Sequence, residues 1–234
     1  MTRIIGIIGG MGPEATADFY REIIRLTPAA RDQDHIPVLI YSNPQIPERT
    51  TAILQGGPSP LPLMIETARV LERAGAGLLA MPCNTAHFYY GELQAAVEVP
   101  VLNMIEETAQ AFSARFPRGR IAGLLGTAGT IRSGIYQAAF ARRGIELLAP
   151  GEEEQRLIME GIGKVKAGTC DQATALMFES IGARLVRSGA EAVVLGCTEI
   201  PLAFDEHRVD YFTLNATRIL AQAAVDWALG RRDR

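Results

Sequence analysis

Two of the three cysteines lie at matching positions of two similar segments. Residues 74–84 (AGAGLLAMPCN) align with residues 188–198 (SGAEAVVLGCT), which places Cys83 on Cys197 at an offset of 114 residues. A second pair, RIIGIIGGMG near the N-terminus and RIAGLLGTAG near the middle of the chain, has five of ten positions identical at an offset of 117. Because the two offsets differ by three residues, the sequence indicates an internal duplication with one cysteine in each copy.

The surroundings of both cysteines favour a reactive thiol. Each cysteine follows an apolar run and precedes residues that often start a helix, Asn84 and Thr85 in one case and Thr198 and Glu199 in the other. The backbone N–H groups and partial positive charge of a helix N-terminus lower a thiol pKa from about 8.5 towards neutrality, and they can also bind a carboxylate. A lone cysteine after a strand is more often a small buried hydrophobe, but the duplication favours a reactive pair.

A thiolate and a thiol that face each other across a ligand can exchange the α-proton of an amino acid. Inversion of the α-carbon needs a base on one face and a proton donor on the other, and each turnover exchanges the two roles. Donors aimed at the substrate carboxylate would stabilise the carbanion-like transition state. The candidate donors, which can equally be helix caps, are Asn84, Thr85, Thr127 and Thr198.

Two basic residues are candidates for binding a carboxylate. Arg49 lies in the proline-stiffened segment NPQIPERTT, residues 43–51, and a guanidinium can bind a carboxylate through two parallel hydrogen bonds. Lys166 is one of two lysines in a chain with 23 basic residues, which suggests a need for a compact point charge at this position. The alternatives are a surface salt bridge for Arg49 and a solvated helix position for Lys166.

The elements that must position these residues alternate between strands and helices. Short apolar runs rich in Ile, Val and Leu are separated by longer segments of helical period, a pattern typical of parallel α/β sheets. The predicted strands are residues 4–8, 37–41, 78–81, 99–102, 121–125, 145–148 and 192–195. The predicted helices include residues 13–26, 62–74, 131–142 and 171–188.

The duplication predicts two similar α/β lobes. We expect the first lobe to cover residues 1–116, the second residues 117–212, and a C-terminal segment, residues 213–234, to pack back on the first lobe. That segment contains a predicted helix with Asn215 as its N-cap. Each cysteine comes just past the carboxyl end of a strand, where open parallel sheets bind ligands. A cleft between lobes related by a pseudo-twofold axis would therefore bring both cysteines to one ligand.

Composition limits the classes of partner. The 234 residues are 48% hydrophobic and 21% charged, as in soluble globular proteins, with a formal net charge of −3. This charge gives no basic field for nucleic acid, and no apolar stretch approaches the roughly 20 residues that span a membrane. Three cysteines spread along the chain fit a reducing compartment. We therefore expect a cytoplasmic protein that binds a small molecule and has neither nucleic acid nor membrane as a partner.

Other known motifs fit this sequence less well. The glycines of residues 6–12 lack the spacing of a dinucleotide-binding loop, and no acidic residue follows the second strand to bind a ribose. Cys83 and His87 are four residues apart, but a zinc site needs more ligands, so we expect His87 to be structural. Cys170 has no duplicated partner. A pyridoxal phosphate enzyme needs a Schiff-base lysine, and both lysines lie in one loop–helix segment. We expect no metal and no cofactor.

Five segments together resemble the aspartate/glutamate racemase family in its aspartate racemase branch, over nearly the whole chain. The two cysteine segments, PCNTAH from Pro82 and GCTEIP from Gly196, are highly specific in combination. The others are GGMGPEAT from Gly9, PQIPERT from Pro44 and LLGTAGT from Leu124. The related glutamate racemases open with an Asp-Ser-Gly type segment where this chain has Gly-Gly-Met-Gly, which favours the aspartate branch.

The resemblance implies two flavodoxin-like lobes, a homodimer, no pyridoxal phosphate and no metal. It also implies that Cys83 and Cys197 are the catalytic pair. The residues that it places in contact with the substrate are Met11, Arg49, Asn84, Thr85, Thr127, Lys166 and Thr198. Near the C-terminus, Asn215 replaces a frequent aspartate of the family and Leu220 replaces its usual histidine. These two departures concern the side-chain pocket, and hence the substrate specificity.

Three functions are compatible with these residues. The favoured one is cofactor-independent racemisation of an acidic amino acid, aspartate or glutamate or both. A second is another activity of the same superfamily, such as broad-specificity amino-acid racemisation, maleate isomerisation or hydantoin racemisation. Arylmalonate decarboxylases resemble the pattern with only one cysteine, which argues against that activity. The third is a non-catalytic protein that binds a small acid.

Overall fold

Parallel strands form two sheets in the computed structural model, which describes residues 3–232. The first sheet consists of β1 (Ile5–Gly9), β2 (Val38–Ser42) and β3 (Leu78–Ala80), in the order β2-β1-β3. The second consists of β4 (Ile121–Gly126), β5 (Glu146–Leu148), β6 (Val193–Gly196) and β7 (Thr213–Asn215), in the order β5-β4-β6-β7. Residues 1, 2, 233 and 234, which the predicted lobe boundaries include, lie outside the described residues.

Helices connect the strands and cover both sheets. Those that follow the strands of the first sheet are α1 (Pro13–Leu26), α2 (Arg49–Gln55), α3 (Leu61–Arg73), α4 (Tyr90–Ala95) and α5 (Met104–Arg115). Those in the second half are α6 (Ala128–Arg132), α7 (Ile135–Ala141), α8 (Glu152–Lys166), α9 (Gln172–Arg187), α10 (Ile200–Ala203) and α11 (Ala216–Ala228). Short 3-10 helices cover Asp32–Asp34 and Thr85–Tyr89.

The sheet topology repeats the duplication. In each sheet the first strand along the chain, β1 or β4, lies between the second and the third. Ile5 of β1 is in register with Val38 and Leu78, and all pairings in both sheets are parallel. The predicted α/β class, with parallel sheets in two similar lobes, is confirmed.

The strand predicted over residues 99–102 does not form. The segment makes a single parallel bridge between Val101 and Leu79 beside the first sheet. Pro100 has no N–H to donate to a ladder, and the N–H of Val101 donates to the side chain of Gln94 at 2.7 Å. The remaining backbone bonds, from Leu79 to Pro100 and from Leu102 to Leu79, are too few for a strand.

The helix predicted over residues 131–142 is two helices. Helix α6 ends at Arg132 and α7 begins at Ile135, with Ser133 and Gly134 between them. Gly134 has a φ of +72°, the left-handed conformation that glycine adopts without a Cβ penalty. Sequence periodicity did not detect the break because the apolar spacing continues across it.

Alternate residues of the central strands enter cores on opposite faces of their sheets. Ile5 and Ile7 of β1 join a core with Leu220 and Trp227 of α11, so the C-terminal helix covers the first sheet. Asn215 caps α11, as predicted, and its side chain accepts from the N–H of Arg218.

Helix α5 belongs to the first half of the chain but packs on the second sheet. Its residues Ile105 and Phe112 join a core with Ala122 and Leu124 of β4, although the chain enters α5 from the first half. The proposed division near residue 116 therefore separates α5 from the sheet that it covers.

The helices of residues 3–232 are short, and the longest, α9, has 16 residues. Among them, none has the length and apolarity that crossing a membrane requires.

Candidate active site

Each cysteine lies just past the carboxyl end of a strand, Cys83 in the first sheet and Cys197 in the second. Cys83 follows β3 by three residues, and Cys197 follows β6 directly. Both side chains are buried, with 6% and 4% of their surface exposed. The backbone that carries them differs, because a 3-10 helix begins at Thr85 after Cys83 and the four-residue helix α10 begins at Ile200 after Cys197.

One narrow cavity receives both cysteines. All nine residues predicted from the sequence line it, namely Met11, Arg49, Cys83, Asn84, Thr85, Thr127, Lys166, Cys197 and Thr198. Glu48 and Glu199 complete the lining. The structure thus brings the predicted residues together, whereas their roles in catalysis and binding stay predictions.

Glu199 is a charged residue of the cavity that the sequence analysis did not select. Its carboxylate oxygen Oε2 accepts hydrogen bonds from Sγ of Cys197 at 3.1 Å and from Oγ1 of Thr198 at 3.2 Å. The side chain is 4% exposed, so this negative charge lies almost out of solvent. The signal in the sequence is an acidic residue two positions after Cys197. From the sequence, this position is interpreted only as part of a helix start.

The thiol of Cys197 is held in its protonated form. Burial raises its pKa well above the ordinary value, and the negative charge of Glu199 raises it further. The backbone N–H of Glu199 and the ammonium group of Lys166 act in the opposite direction but do not outweigh these effects. The expectation that a helix N-terminus lowers this pKa towards neutrality is therefore wrong for Cys197, because desolvation and a neighbouring carboxylate dominate there.

Arg49 joins two loops at the cavity wall. Its Nη1 donates to the carbonyls of Ile46 and Pro47 at 3.2 and 3.0 Å, and its Nη2 donates to the carbonyl of Met11 at 3.4 Å. The residue is 7% exposed, so it is not the surface salt bridge considered as an alternative. Its remaining donor, Nε, is buried and has no hydrogen-bond partner within the described residues.

Asn84 presents a second free donor. Its Oδ1 accepts from the hydroxyl of Tyr136 at 2.6 Å, while its Nδ2 is buried without a partner among residues 3–232. A buried donor without an acceptor costs about 1–3 kcal/mol. Two such donors, Arg49 Nε and Asn84 Nδ2, on residues that line one cavity indicate that the cavity binds a ligand with oxygen acceptors.

Threonine hydroxyls connect the two halves of the chain beside the cysteines. The hydroxyl of Thr85 lies 2.8 Å from that of Thr127 and 2.9 Å from that of Thr130. Thr127 also caps α6 by accepting from the N–H of Thr130 at 3.0 Å. The contact is close because Gly129 has no side chain. A Cβ at this position would lie 2.9 Å from Cγ2 of Thr85 and 3.0 Å from Cα of Thr50.

The cavity continues outward into a wider cleft of about 800 Å³ of empty volume. Four charged residues line both spaces: Glu48, Arg49, Lys166 and Glu199. The outer walls come from the loop after β1, the segment around Pro44 and Ile46, the end of α8 and Leu202. Lys166, the last residue of α8, therefore lies where the cleft narrows to the cavity.

His87 has a structural role. Its Nδ1 donates to the carbonyl of Cys83 at 2.8 Å, and its Nε2 accepts from the N–H of Met104 at 3.0 Å. Burial lowers its pKa to about 4, so the ring is neutral at physiological pH. Cys170 is exposed and does not line the cavity. In the part of the chain that the structure describes, no group of three or more His, Cys, Asp or Glu residues could hold a metal ion.

Comparisons with known proteins found similar sequences and similar folds. A family model described as Asp/Glu/Hydantoin racemase matches residues 8–224. The broad specificity amino-acid racemase RacX of Bacillus subtilis is 30% identical, over 95% of this chain and 96% of that protein. The aspartate racemase of Picrophilus torridus superposes with a TM-score of 0.87 at 31% identity, covering 99% of this chain and 96% of that chain. A glutamate racemase from Bacillus anthracis shares the fold, with a TM-score of 0.69 at 19% identity, covering 98% of this chain and 82% of that chain.

Proposed function

Because the chain belongs to the Asp/Glu/hydantoin racemase family, we propose that it racemises an amino acid by a two-base mechanism in which Cys83 and Cys197 act from opposite faces of the α-carbon. The family match confirms the predicted enzyme class, an isomerase of the amino-acid racemase type. The mechanism uses side chains of this chain alone and no cofactor.

One observation carries the proposal. Both cysteines line the same cavity as two donors, Nε of Arg49 and Nδ2 of Asn84, that have no hydrogen-bond partner within residues 3–232. A substrate carboxylate supplies the acceptors that these donors lack, and a charged acceptor strengthens each bond. Such a bound carboxylate would place the adjacent α-carbon between the two sulfur atoms.

The movement of protons in the reaction can be followed from the hydrogen-bonded thiol of Cys197. In one direction the thiolate of Cys83 removes the α-proton, which leaves the electron pair on the α-carbon and its carboxylate. The thiol of Cys197 then gives its proton to the opposite face of the same carbon and becomes a thiolate. The product is the other enantiomer, with the proton now on Cys83, and the reverse direction uses the exchanged roles.

Donors around the carboxylate stabilise the transition state. Negative charge develops on the substrate when the α-proton leaves, and preorganised donors in a water-poor cavity lower the energy of that charge. We assign this role to residues that line the cavity, namely Asn84, Thr85, Thr127 and Thr198, together with the cations Arg49 and Lys166.

The proposed substrates are aspartate and glutamate, with a broader amino-acid specificity as the second candidate. The acidic substrates are supported by the aspartate racemase of P. torridus. The broader specificity is supported by the similarity to RacX and by the outer cleft, which leaves space for a longer side chain next to the cavity. We also propose a homodimer located in the cytoplasm.

Deuterium exchange tests the mechanism. The purified protein, without added cofactor, is incubated in D2O with each enantiomer of aspartate and glutamate. Loss of the α-proton is followed by NMR, and configuration by chiral chromatography. We expect exchange with inversion from both enantiomers of at least one substrate. Racemisation should fall by roughly 10²–10⁴ in Cys83→Ser and in Cys197→Ser.

Two outcomes would contradict the proposal. If the parent protein shows no proton exchange, and Cys83→Ser and Cys197→Ser bind the ligand as tightly as the parent does, the protein is a binding protein. Turnover of neutral or basic amino acids, hydantoins or maleate, but not of aspartate or glutamate, would replace the acidic substrate. Cys170→Ser is the matched control, since this exposed cysteine should be replaceable without loss of rate.

A further inference from the structure

Tyr136 contacts the segments that carry both catalytic cysteines. It lies on α7 and is fully buried. Its hydroxyl donates to Oδ1 of Asn84, the residue after Cys83, at 2.6 Å. We propose that Tyr136 is a positioning residue that fixes the amide of Asn84 for carboxylate binding, an inference that rests on the proposed function.

The hydrogen bond selects one orientation of the Asn84 amide. An amide has one acceptor end and one donor end, and the Tyr136 hydroxyl engages the acceptor end. The donor end, Nδ2, has no partner among the residues that the structure describes, and Asn84 lines the cavity. The reversed amide would present its oxygen to the substrate carboxylate, and two acceptors repel each other. Burial also raises the pKa of the Tyr136 phenol, so the hydroxyl keeps its proton and stays a donor.

The ring of Tyr136 reaches the second cysteine segment. A Cβ placed on Gly196 would lie 3.5 Å from Cε2 of Tyr136 and 2.5 Å from Cδ1 of Leu124. Gly196 is the residue directly before Cys197, so the tyrosine ring lies beside the segment that carries the second cysteine. One side chain thus bonds to Asn84 on one side and lies next to the position of Gly196 on the other.

The hydroxyl and the ring can be separated by mutation. The ring fills the core with Phe140, with 5.9 Å between ring centroids, and Tyr136→Phe preserves this packing. A purely structural role of the hydroxyl would change stability alone. A positioning role would change substrate binding through Asn84.

The experiment measures KM, kcat and thermal stability of Tyr136→Phe. The matched control is Tyr211→Phe, which also removes a tyrosine hydroxyl bonded at 2.7 Å, in this case to the backbone carbonyl of Glu179 outside the cavity. We expect Tyr136→Phe to raise KM about tenfold, the effect of weakening one hydrogen bond to a charged group, with a smaller change in kcat. Tyr211→Phe should lower the melting temperature without raising KM.

A double-mutant cycle tests whether Tyr136 acts through Asn84. Asn84→Ala removes both the acceptor for the tyrosine hydroxyl and the donor to the substrate. In this background Tyr136→Phe should raise KM no further, because the amide that it orients is gone. A KM of Tyr136→Phe equal to that of the parent, or an undiminished effect in Asn84→Ala, would overturn the role of Tyr136. An inactive parent protein would instead overturn the proposed function.

Discussion

The thiol of Cys197 donates to the carboxylate of Glu199, with 3.1 Å between Sγ and Oε2. In the duplicated first half, the position two residues after Cys83 is Thr85, whose hydroxyl bonds to Thr127 instead. Both cysteines line one cavity, and the difference two residues later gives them unequal surroundings. The carboxylate of Glu199, together with burial, favours the protonated form of Cys197.

Removing the charge of Glu199 should lower the pKa of Cys197. Glu199→Gln keeps an oxygen that accepts from the thiol but removes the negative charge, the second cause of the raised pKa after burial. The measurement is the ultraviolet absorbance of the thiolate as a function of pH, with Cys83 and Cys170 replaced by serine. A thiolate that forms at the same pH with and without Glu199→Gln would contradict the effect of this carboxylate.

Arg49 should contribute to both stability and binding. Arg49→Ala leaves the carbonyls of Ile46 and Met11 without their donor and should cost roughly 1–3 kcal/mol of unfolding free energy. It should also raise KM, since Nε no longer binds the carboxylate. Arg69→Ala is the control, because Arg69 donates to the carbonyl of Ala96 at an exposed position. Urea unfolding and steady-state kinetics distinguish the two variants, and equal effects of both would contradict the role of Arg49.

His87 should make stability depend on pH. Its pKa is about 4 in the folded protein, compared with 6.5 for a free imidazole. Between these values the unfolded chain binds a proton that the folded protein excludes, so stability falls as pH decreases from 6.5 towards 4. The total loss is about 3 kcal/mol, and it is complete below the folded pKa.

The variant His87→Gln isolates this effect. Glutamine retains an acceptor for the N–H of Met104 but does not titrate in this range. Urea unfolding at several pH values should show a shallower loss of stability on acidification for the variant than for the parent protein. Parallel curves for the two proteins would show that His87 is not the group responsible.

Gly129 should be required for the contact between the two halves. Gly129→Ala places a methyl group 2.9 Å from Thr85 and 3.0 Å from the backbone of Thr50, and the resulting overpacking should cost about 1–3 kcal/mol and reduce kcat/KM. Gly163→Ala is the control, because a Cβ there meets nothing within 4 Å in the middle of α8. The control should gain about 0.5–1 kcal/mol from helix propensity. A Gly129→Ala variant as stable as the parent protein would contradict the packing argument.

The sequence predicted the cysteine pair and its cavity because the duplication is a local signal repeated twice. Asn84, Thr85 and Thr198, beside the two cysteines, could be assigned on the same basis, whereas Glu199 has no acidic counterpart in the first half and could not. Tyr136 could not, since a tyrosine on an amphipathic helix has the pattern of any core aromatic, and its partner Asn84 is 52 residues away. The strand expected around Pro100 failed because Pro100 has no N–H to donate and the N–H of Val101 donates to the side chain of Gln94.

Helices α5 and α11 each complete the half of the molecule to which they do not belong in sequence. The first half of the chain gives α5 to the second sheet, and the end of the second half returns α11 to the first. A cut in the loop after α5 would leave two fragments, one with the apolar face of β1 uncovered and the other with that of β4 uncovered. The two halves therefore depend on each other to fold, as the subunits of a helix-exchanged dimer do, even though one covalent chain joins them.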